Sequence, residues 1–151
     1  MLEVSNPVGA PVPRTLMAAV FRSFRRLHGP ARGINVSLVF VDRKTSRRWN
    51  RTFRGTDAPT DVLSFPASDR RPWPTAKPKL GEVIICYPVA VQQARASRHG
   101  VRREVAELFA HGLAHLAGYD HDTKARAERM ATFEAKIITA VYTSTHKSTI
   151  K

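Results

Sequence analysis

The chain has 151 residues, which is enough for one domain with a hydrophobic core and too few for two comfortable ones. Hydrophobic residues make up 42% of the sequence, which excludes an intrinsically disordered chain, and the single cysteine excludes an internal disulfide. Lysine and arginine number 25 against 12 acidic residues, and the net charge of +13 favours a polyanionic partner such as nucleic acid or the ribosome over a membrane surface.

The amino-terminal residues predict a short edge strand at 1–5 and a turn-rich connection at 6–13. They lack the basic start and the apolar stretch of a secretion signal. The longest apolar runs, such as 36–41, fall far short of a membrane span. A lone cysteine also agrees with a reducing compartment. We therefore expect a cytoplasmic protein with no membrane partner.

The first half of the chain alternates between helical and extended patterns. Residues 67–79 contain three prolines and several basic residues, and we expect them to form a mobile loop. Apolar residues at helical spacing and clusters of β-branched residues predict the other elements. In chain order these are a helix at 15–27, a strand at 35–42, a short helix at 43–53, and strands at 62–65 and 82–87.

The second half of the chain is predicted to be helical. Helices are expected at 89–98, 101–117 and 123–142. Because strands and helices are partly segregated along the sequence, the pattern indicates the α+β class rather than a regular βαβ array. We expect a single domain over residues 1–142 and a polar C-terminal tail at 143–151.

The helix at 101–117 contains a histidine pair in an apolar setting. It is apolar over most of its circumference and should be buried. His111 and His115 are four residues apart, so they lie on one face and can chelate one cation. Gly118 permits the left-handed conformation that ends helices, and His121 follows three residues later, where a turn can bring it back. The pair alone would be weak evidence, but with the glycine and the third histidine it predicts a metal site.

The spacing His-x3-His-x5-His is that of the extended zinc-binding motif of a large group of metalloproteases. Three neutral imidazoles and a water molecule would complete the open tetrahedral site that catalytic zinc prefers. The glutamate base that follows the first histidine in those proteases is replaced by Gly112, which makes peptide hydrolysis a minor possibility. Zinc in such a site can still lower the pKa of bound water to about 7, and a phosphodiester substrate would be neutralised by arginine and the metal.

The motif belongs to a larger resemblance. Residues 111–121, with the sequence HGLAHLAGYDH, closely resemble the signature of the YbeY family of bacterial endoribonucleases and ribosome-maturation factors. Residues 50–66 and 80–83 resemble the second and third sequence blocks of that family; they read NRTFRGTDAPTDVLSFP and LGEV. Gln93, Ala94, His99 and Glu104 fit the approach to the metal helix.

This resemblance implies an α+β fold with a small mixed sheet and a metal-binding helix like that of the zinc proteases. It implies that His111, His115 and His121 bind one metal ion, zinc by preference, although another divalent ion such as nickel could load. His111 and Arg54 would be catalytic, with Arg54 contacting an RNA phosphate. The implied activity of the domain at 1–142 is metal-dependent cleavage of single-stranded RNA in small-subunit ribosomal RNA maturation and ribosome quality control. Single-stranded RNA, ribosomal RNA and the small ribosomal subunit would be the partners.

Several polar residues near these motifs have open assignments. Asp120 or Asp122 could orient an imidazole, but Asp122 directly precedes the last predicted helix and could instead cap it. Thr60, Asp61 and Ser64 could line the cleft, although Asp61 could also serve only the backbone of a turn.

Other residues favour structural roles. Glu104 lies about 10 Å from His111 along the helix axis, too far for a ligand, and suggests a structural ion pair. Trp49 and Trp73 could stack on bases, although a core position is the commoner role for Trp49. The remaining histidines, which lack partners at metal-binding spacing, are expected at the surface or as caps: His28, His99 and His146.

Two other functions are compatible with the sequence. The net charge of +13 fits equally well a ribosome-binding assembly factor whose metal is structural and whose cleavage is incidental. A hydrolase of a peptide or small molecule is the third hypothesis. The basic surface could also be merely solvated.

Overall fold

The structure is a computed structural model that describes residues 1–29, 34–67 and 80–147. Residues 68–79 of the predicted loop, with Trp73, and residues 148–151 of the predicted tail lie outside the described residues, as does the side chain of His146. The described residues form four strands and five helices: β1 (Leu2–Ser5), α1 (Arg14–His28), β2 (Val36–Val41), α2 (Arg43–Arg54), β3 (Val62–Pro66), β4 (Gly81–Cys86), α3 (Tyr87–Ala96), α4 (Val101–Leu116) and α5 (Lys124–Lys147).

The strands form one mixed sheet in the order β1-β2-β4-β3. β1, β2 and β4 are parallel, and β3 is antiparallel to β4. One row of paired residues crosses the sheet at the end where β2 and β4 begin; it consists of Leu2, Val36, Gly81 and Pro66. The predicted α+β class and the small mixed sheet are therefore confirmed.

Alternate residues of the strands face two apolar layers. Leu38 and Ile85 point towards α1, α4 and α5 and belong to the main core. Ile84 and Phe65 point to the opposite face, where they pack in a smaller cluster with Trp49 of α2. Because both faces of β2 and β4 are covered, these strands are almost continuously apolar in sequence.

Helix α4 is the central helix of the main core. It packs against β3, β4, α1, α3 and α5. Ten of its sixteen residues are buried, and Val105, Phe109 and Leu113 have no exposed surface. The buried helix predicted from the sequence is confirmed, and its burial holds the histidine pair on a rigid element.

Two helices, α3 and α5, differ from their predicted bounds by two residues or more. Tyr87 begins α3 instead of ending β4, because Pro88 fits the first turn of a helix, where its missing N–H is not needed. Helix α5 continues to Lys147, beyond the predicted end at residue 142. The hydroxyls of Thr143 and Ser144 donate to the carbonyls four residues earlier at 2.7 and 2.8 Å, so these polar side chains are accommodated within the helix.

Candidate metal centre

The turn after α4 brings the third histidine back towards the other two. Gly118 has a φ of +93° and donates its N–H to the carbonyl of His115 at 3.0 Å, while Tyr119 donates to the carbonyl of Ala114 at the same distance. These bonds close the C-terminal end of α4 in the manner expected of a left-handed glycine. The sequence-based prediction of this turn is confirmed.

Two further contacts hold the turn in place. The ring of Tyr119 stacks on Phe133 of α5 with centroids 4.4 Å apart. The side chain of Asp120 accepts a hydrogen bond from the backbone N–H of His121 at 2.7 Å. The position of His121 is therefore determined by the packing of the turn as well as by its length.

The three imidazoles form a compact cluster. Ring centroids are separated by 4.7 Å between His111 and His115, 5.2 Å between His115 and His121, and 6.0 Å between His111 and His121. One nitrogen of each ring lies within 4.8 Å of the others, and the cluster could hold a metal ion. His111 and His115 are half-buried whereas His121 is exposed, so the cluster is open on one side.

The first histidine of the cluster has a carboxylate partner on α5. Nδ1 of His111 lies 2.7 Å from Oε1 of Glu134. This hydrogen bond, followed by the negative charge of the same carboxylate, raises the pKa of His111 against the opposing effect of burial. If Nδ1 carries the proton, Nε2 is left with a free lone pair, which is the arrangement that metal-binding histidines commonly show.

Sequence reasoning missed Glu134. It considered Asp120 and Asp122, which flank His121, as candidates to orient an imidazole. Asp120 bonds to the backbone N–H of His121, and its charge acts on the pKa of His115 in the raising direction, whereas Asp122 pairs with Arg126 at 2.9 Å. The helix-cap alternative for Asp122 was wrong. The hydroxyl of Thr123, directly before α5, accepts the N–H of Arg126 at 3.2 Å.

The second histidine of the cluster, His115, has a pKa that is lowered, in contrast to the raised pKa of His111. Burial lowers the pKa of His115, and the neighbouring rings of His111 and His121 lower it further. A neutral imidazole is the form that binds a metal. The environment of His115 therefore favours the form that could act as a ligand.

The glycine after the first histidine is required by packing. A Cβ at Gly112 would lie 2.5 and 2.9 Å from the two methyl carbons of Val83 and 3.3 Å from Oγ of Ser64. The hydroxyl of Ser64 also donates to the carbonyl of Gly112 at 3.4 Å. The backbone of α4 at Gly112 thus lies directly against strands β3 and β4. A glutamate base has no room there without a shift of α4.

Arg54 lies in the same cleft as the histidines. It is the last residue of α2, which ends at Gly55 in the left-handed conformation, and its Nη2 donates to the carbonyl of Ser64 at 3.3 Å. The cleft has a volume of about 410 Å³. It is lined by residues of α2, β3, α4 and the turn after α4: Asn50, Arg54, Thr60, Asp61, Val62, Leu63, Ser64, Pro66, His111, His115, Asp120 and His121.

The predicted cleft positions of Thr60, Asp61 and Ser64 are therefore confirmed. Asp61 also has the backbone role that was its alternative, since its Oδ1 accepts the N–H of Val62 at 2.7 Å. Its Oδ2 accepts from Gln93 of α3 at 3.2 Å. The carboxylate is thus held in place from two elements.

The structure places Glu104, Trp49 and two of the remaining histidines, for which the sequence favours structural roles. Glu104 is buried and pairs with Nε2 of His99, so its predicted ion pair is confirmed and the expectation that His99 lacks a partner is wrong. Together with Glu107 these two residues form a second cluster that could hold a cation. Trp49 packs near Phe65 with a centroid distance of 6.1 Å, and His28 is exposed at the end of α1.

The described helices include none that combines the length and the apolar character needed to cross a membrane.

Fold and site together define an α+β protein with a three-histidine cluster and an arginine in one cleft. The comparison with protein families agrees with the resemblance seen in the sequence. The family model described as Endoribonuclease YbeY matches residues 10–142, and the chain belongs to this family.

Individual relatives match almost the whole chain. The endoribonuclease YbeY of Moorella thermoacetica is 41% identical over 145 residues, covering 92% of this chain and 92% of that protein. The endoribonuclease YbeY of Geobacillus thermodenitrificans is 35% identical over 144 residues, covering 91% and 92%. The solution structure of TM1509 from Thermotoga maritima has a TM-score of 0.65 and 23% identity over 98% of this chain and 93% of that one, which shows a shared fold.

Proposed function

We propose that this chain is a cytoplasmic, metal-dependent endoribonuclease that cleaves single-stranded RNA. Its proposed role is in small-subunit ribosomal RNA maturation and ribosome quality control, in contact with ribosomal RNA and the small ribosomal subunit. The observation that carries the proposal is the convergence of three imidazoles in a cleft that also contains Arg54. Family membership supports RNA as the substrate class.

The donor set fits a single zinc ion better than a hard cation. Imidazole nitrogens suit zinc, copper, iron and nickel, whereas magnesium and calcium prefer oxygen ligands. We propose His111, His115 and His121 as the ligands, with α4, which carries the first two, corresponding to the metal helix of zinc proteases. When bound, the metal would supply a Lewis acid and lower the pKa of water.

Glu134 has a supporting role in this proposal. Its hydrogen bond to Nδ1 of His111 fixes the orientation of the ring and leaves Nε2 available as the donor to a metal ion. A carboxylate behind a histidine ligand also increases the basicity of the ring. Glu134 would therefore act as a positioning residue and would not contact the substrate.

Arg54 would bind and neutralise the phosphate. One of its terminal nitrogens is held by the carbonyl of Ser64, which directs the guanidinium along the cleft wall. The remaining N–H groups form a planar fork that matches two phosphate oxygens. Charge that develops on the phosphate during cleavage would be stabilised there, so Arg54 would contribute mainly to the rate of the chemical step.

The decisive experiment is cleavage of single-stranded RNA by the wild type and by Arg54→Ala. We expect the wild type to lose activity on chelation and to regain it with added zinc. At saturating RNA, the kcat of Arg54→Ala should be lower than that of the wild type by about 100-fold or more. This is the loss typical when one donor that stabilises charge in the transition state is removed. Arg48→Ala, an exposed arginine of the same helix, serves as the matched control and should cleave normally. Full cleavage by the chelated protein would refute the proposal.

A ribosome-binding assembly factor with a structural metal is the second candidate, and the net charge of +13 favours it. On this hypothesis His111→Ala would lower stability while the folded fraction still bound the small ribosomal subunit. Sedimentation with the subunit, measured beside RNA cleavage, separates the two candidates. Association without any cleavage by the zinc-loaded wild type would favour the second.

A further inference from the structure

Three arginines of α1 form a second positively charged feature, outside the histidine cleft. Arg22, Arg25 and Arg26 are three and four residues apart, so they lie on one face of the helix near its C-terminal end. All three are exposed, and with Gly29 they line a depression of about 470 Å³. We refer to Arg22, Arg25 and Arg26 as the α1 arginine cluster.

In the part of the chain that the structure describes, no carboxylate binds the donors of this cluster. Within residues 1–29, 34–67 and 80–147, no hydrogen bond or ion pair joins Arg22, Arg25 or Arg26 to an acidic side chain. By contrast, Arg47 and Arg126 pair with carboxylates at 2.8 and 2.9 Å. The positive charge of the cluster is therefore open to an external anion.

Met1, the residue before β1, lies beside this cluster. The ammonium group of Met1 donates to the carbonyl of Ile34 and lies near Arg25. Its pKa is lowered by burial and then by the charge of Arg25, against the smaller opposing effect of Glu3. The end of α1 and the start of β1 thus lie beside each other.

The end of α1 and the start of β1 lie at the end of the sheet where Pro66 lines the histidine cleft, and the cleft extends from there along β3 to Val62. Leu2, next to Met1, begins the row of paired residues that crosses the sheet and ends at Pro66, which lines the cleft. A Cβ at Gly81, in the same row, would touch the side chain of Leu116 at the end of α4. Three steps of about 4.8 Å between neighbouring strands separate the two ends of the row, or about 15 Å.

We propose that the α1 arginine cluster binds phosphates of the RNA strand whose cleaved segment lies in the histidine cleft. This inference rests on the proposed function, because it takes RNA as the substrate. Free guanidinium groups bind phosphates through paired N–H donors. The cluster would thus hold the substrate beside the cleft and add to affinity without taking part in the reaction.

Two alternative roles of the cluster lead to different expected results. Basic residues in the last turn of a helix complement its dipole, which would give the cluster a purely local role. An acidic protein surface could also bind three arginines. Proximity to the cleft and membership of an endoribonuclease family favour RNA.

The test compares two triple variants with the same loss of charge. The cluster variant is Arg22→Gln, Arg25→Gln and Arg26→Gln. The control variant is Arg14→Gln, Arg95→Gln and Arg102→Gln. These arginines are also exposed, but they lie at the start of α1, the end of α3 and the start of α4, away from the histidine cleft. Circular dichroism and thermal unfolding verify that both variants fold.

Binding is measured by fluorescence anisotropy with a labelled single-stranded RNA of about 12 nucleotides, a length that basic grooves commonly cover. Chelator prevents cleavage, and the salt concentration is varied. We expect the cluster variant to bind RNA about ten- to a hundredfold more weakly than the wild type at ~0.1 M salt. The slope of the logarithm of the binding constant against the logarithm of the salt concentration should be smaller in magnitude by about 2, because each of three lost phosphate contacts contributes about 0.7. The control should stay within about twofold of the wild type, because screening isolates distant charges.

Equal losses in the two variants would overturn the inference in favour of a general charge effect. Unchanged RNA affinity with weaker binding of polyglutamate would overturn it in favour of an acidic protein. If the wild type cleaves RNA but both variants bind like the wild type, this inference alone fails. If only the cluster variant loses RNA affinity and the zinc-loaded wild type cleaves nothing, the inference stands and the proposed endoribonuclease activity fails.

Discussion

Glu134 connects α5 to the candidate metal centre through a single hydrogen bond to His111. The bond is half-buried, with about a third of each side chain or less exposed, so it is screened less than a surface pair. It imposes one tautomer and one orientation on a ring that would otherwise rotate. The effect of this bond on zinc affinity and its effect on the stability of the metal-free protein can be measured separately.

Replacing the carboxylate should weaken metal binding. We expect Glu134→Gln to bind zinc about 10- to 100-fold more weakly than the wild type, the range typical of hydrogen-bond partners behind metal ligands. Competition with a chromophoric chelator measures the affinity directly. Glu128→Gln, an exposed glutamate of the same helix, is the control and should bind zinc like the wild type. Equal affinities for Glu134→Gln and the wild type would remove Glu134 from the site.

The same pair should make stability depend on pH in the metal-free protein. The pKa of His111 is raised in the folded state, so the stabilising contribution is fully present below the unfolded pKa of about 6.5 and is lost as pH rises through the folded pKa. Glu134→Gln should therefore lower the free energy of unfolding more at about pH 6 than at about pH 9. Urea unfolding in chelator tests this. A cost that does not change with pH would contradict the proposed coupling.

At the scale of elements, the site depends on how closely α4 approaches the sheet. Gly112 allows the helix backbone to lie against Val83 of β4 and Ser64 of β3. The C-terminal turn then leads to Tyr119, which stacks on α5. Three elements thus determine where the imidazoles lie, and α2 brings Arg54 to the other wall of the cleft.

Gly112→Ala should be destabilising although alanine favours helices. Its methyl group would meet the methyl carbons of Val83 at 2.5 and 2.9 Å, and we expect a loss of about 1–3 kcal/mol in the free energy of unfolding from overpacking. Val83→Ala in the same chain removes the obstruction, so the double variant should lose less than the sum of the two single variants. Additive losses in urea unfolding would show that the approach is not as close as described.

For the whole molecule, the candidate metal links residues that belong to separate elements but lie close together in the structure. His111 and His115 belong to α4, His121 belongs to the following turn, and α5 supports them through Glu134. An ion bound to the folded state alone would stabilise the entire fold. A thermal shift therefore reports on the metal site independently of any RNA cleavage.

Zinc at about 100 times its dissociation constant should stabilise the wild type by about 2.7 kcal/mol. For a chain of this size that corresponds to a rise in Tm of roughly 5–10 °C. His121→Ala should abolish the rise while changing the metal-free Tm little, because His121 is exposed. His99→Ala removes a ligand of the second possible cation cluster and should leave most of the rise intact. A shift that survives His121→Ala would place the zinc elsewhere.

The sequence alone determined those features that depend on neighbours along the chain. Helical periodicity places His111 and His115 on one face, Gly118 ends the helix, and the spacing of the motif identified the family. The tertiary structure decided which residues from separate elements meet. Glu134 lies 23 residues from His111, and no spacing rule relates a side chain of α5 to one of α4. The placement of the α1 arginine cluster at the end of the sheet where Pro66 lines the cleft likewise depends on strand order and register. Local conformation follows from adjacent residues, whereas contacts between elements follow from how the whole core packs.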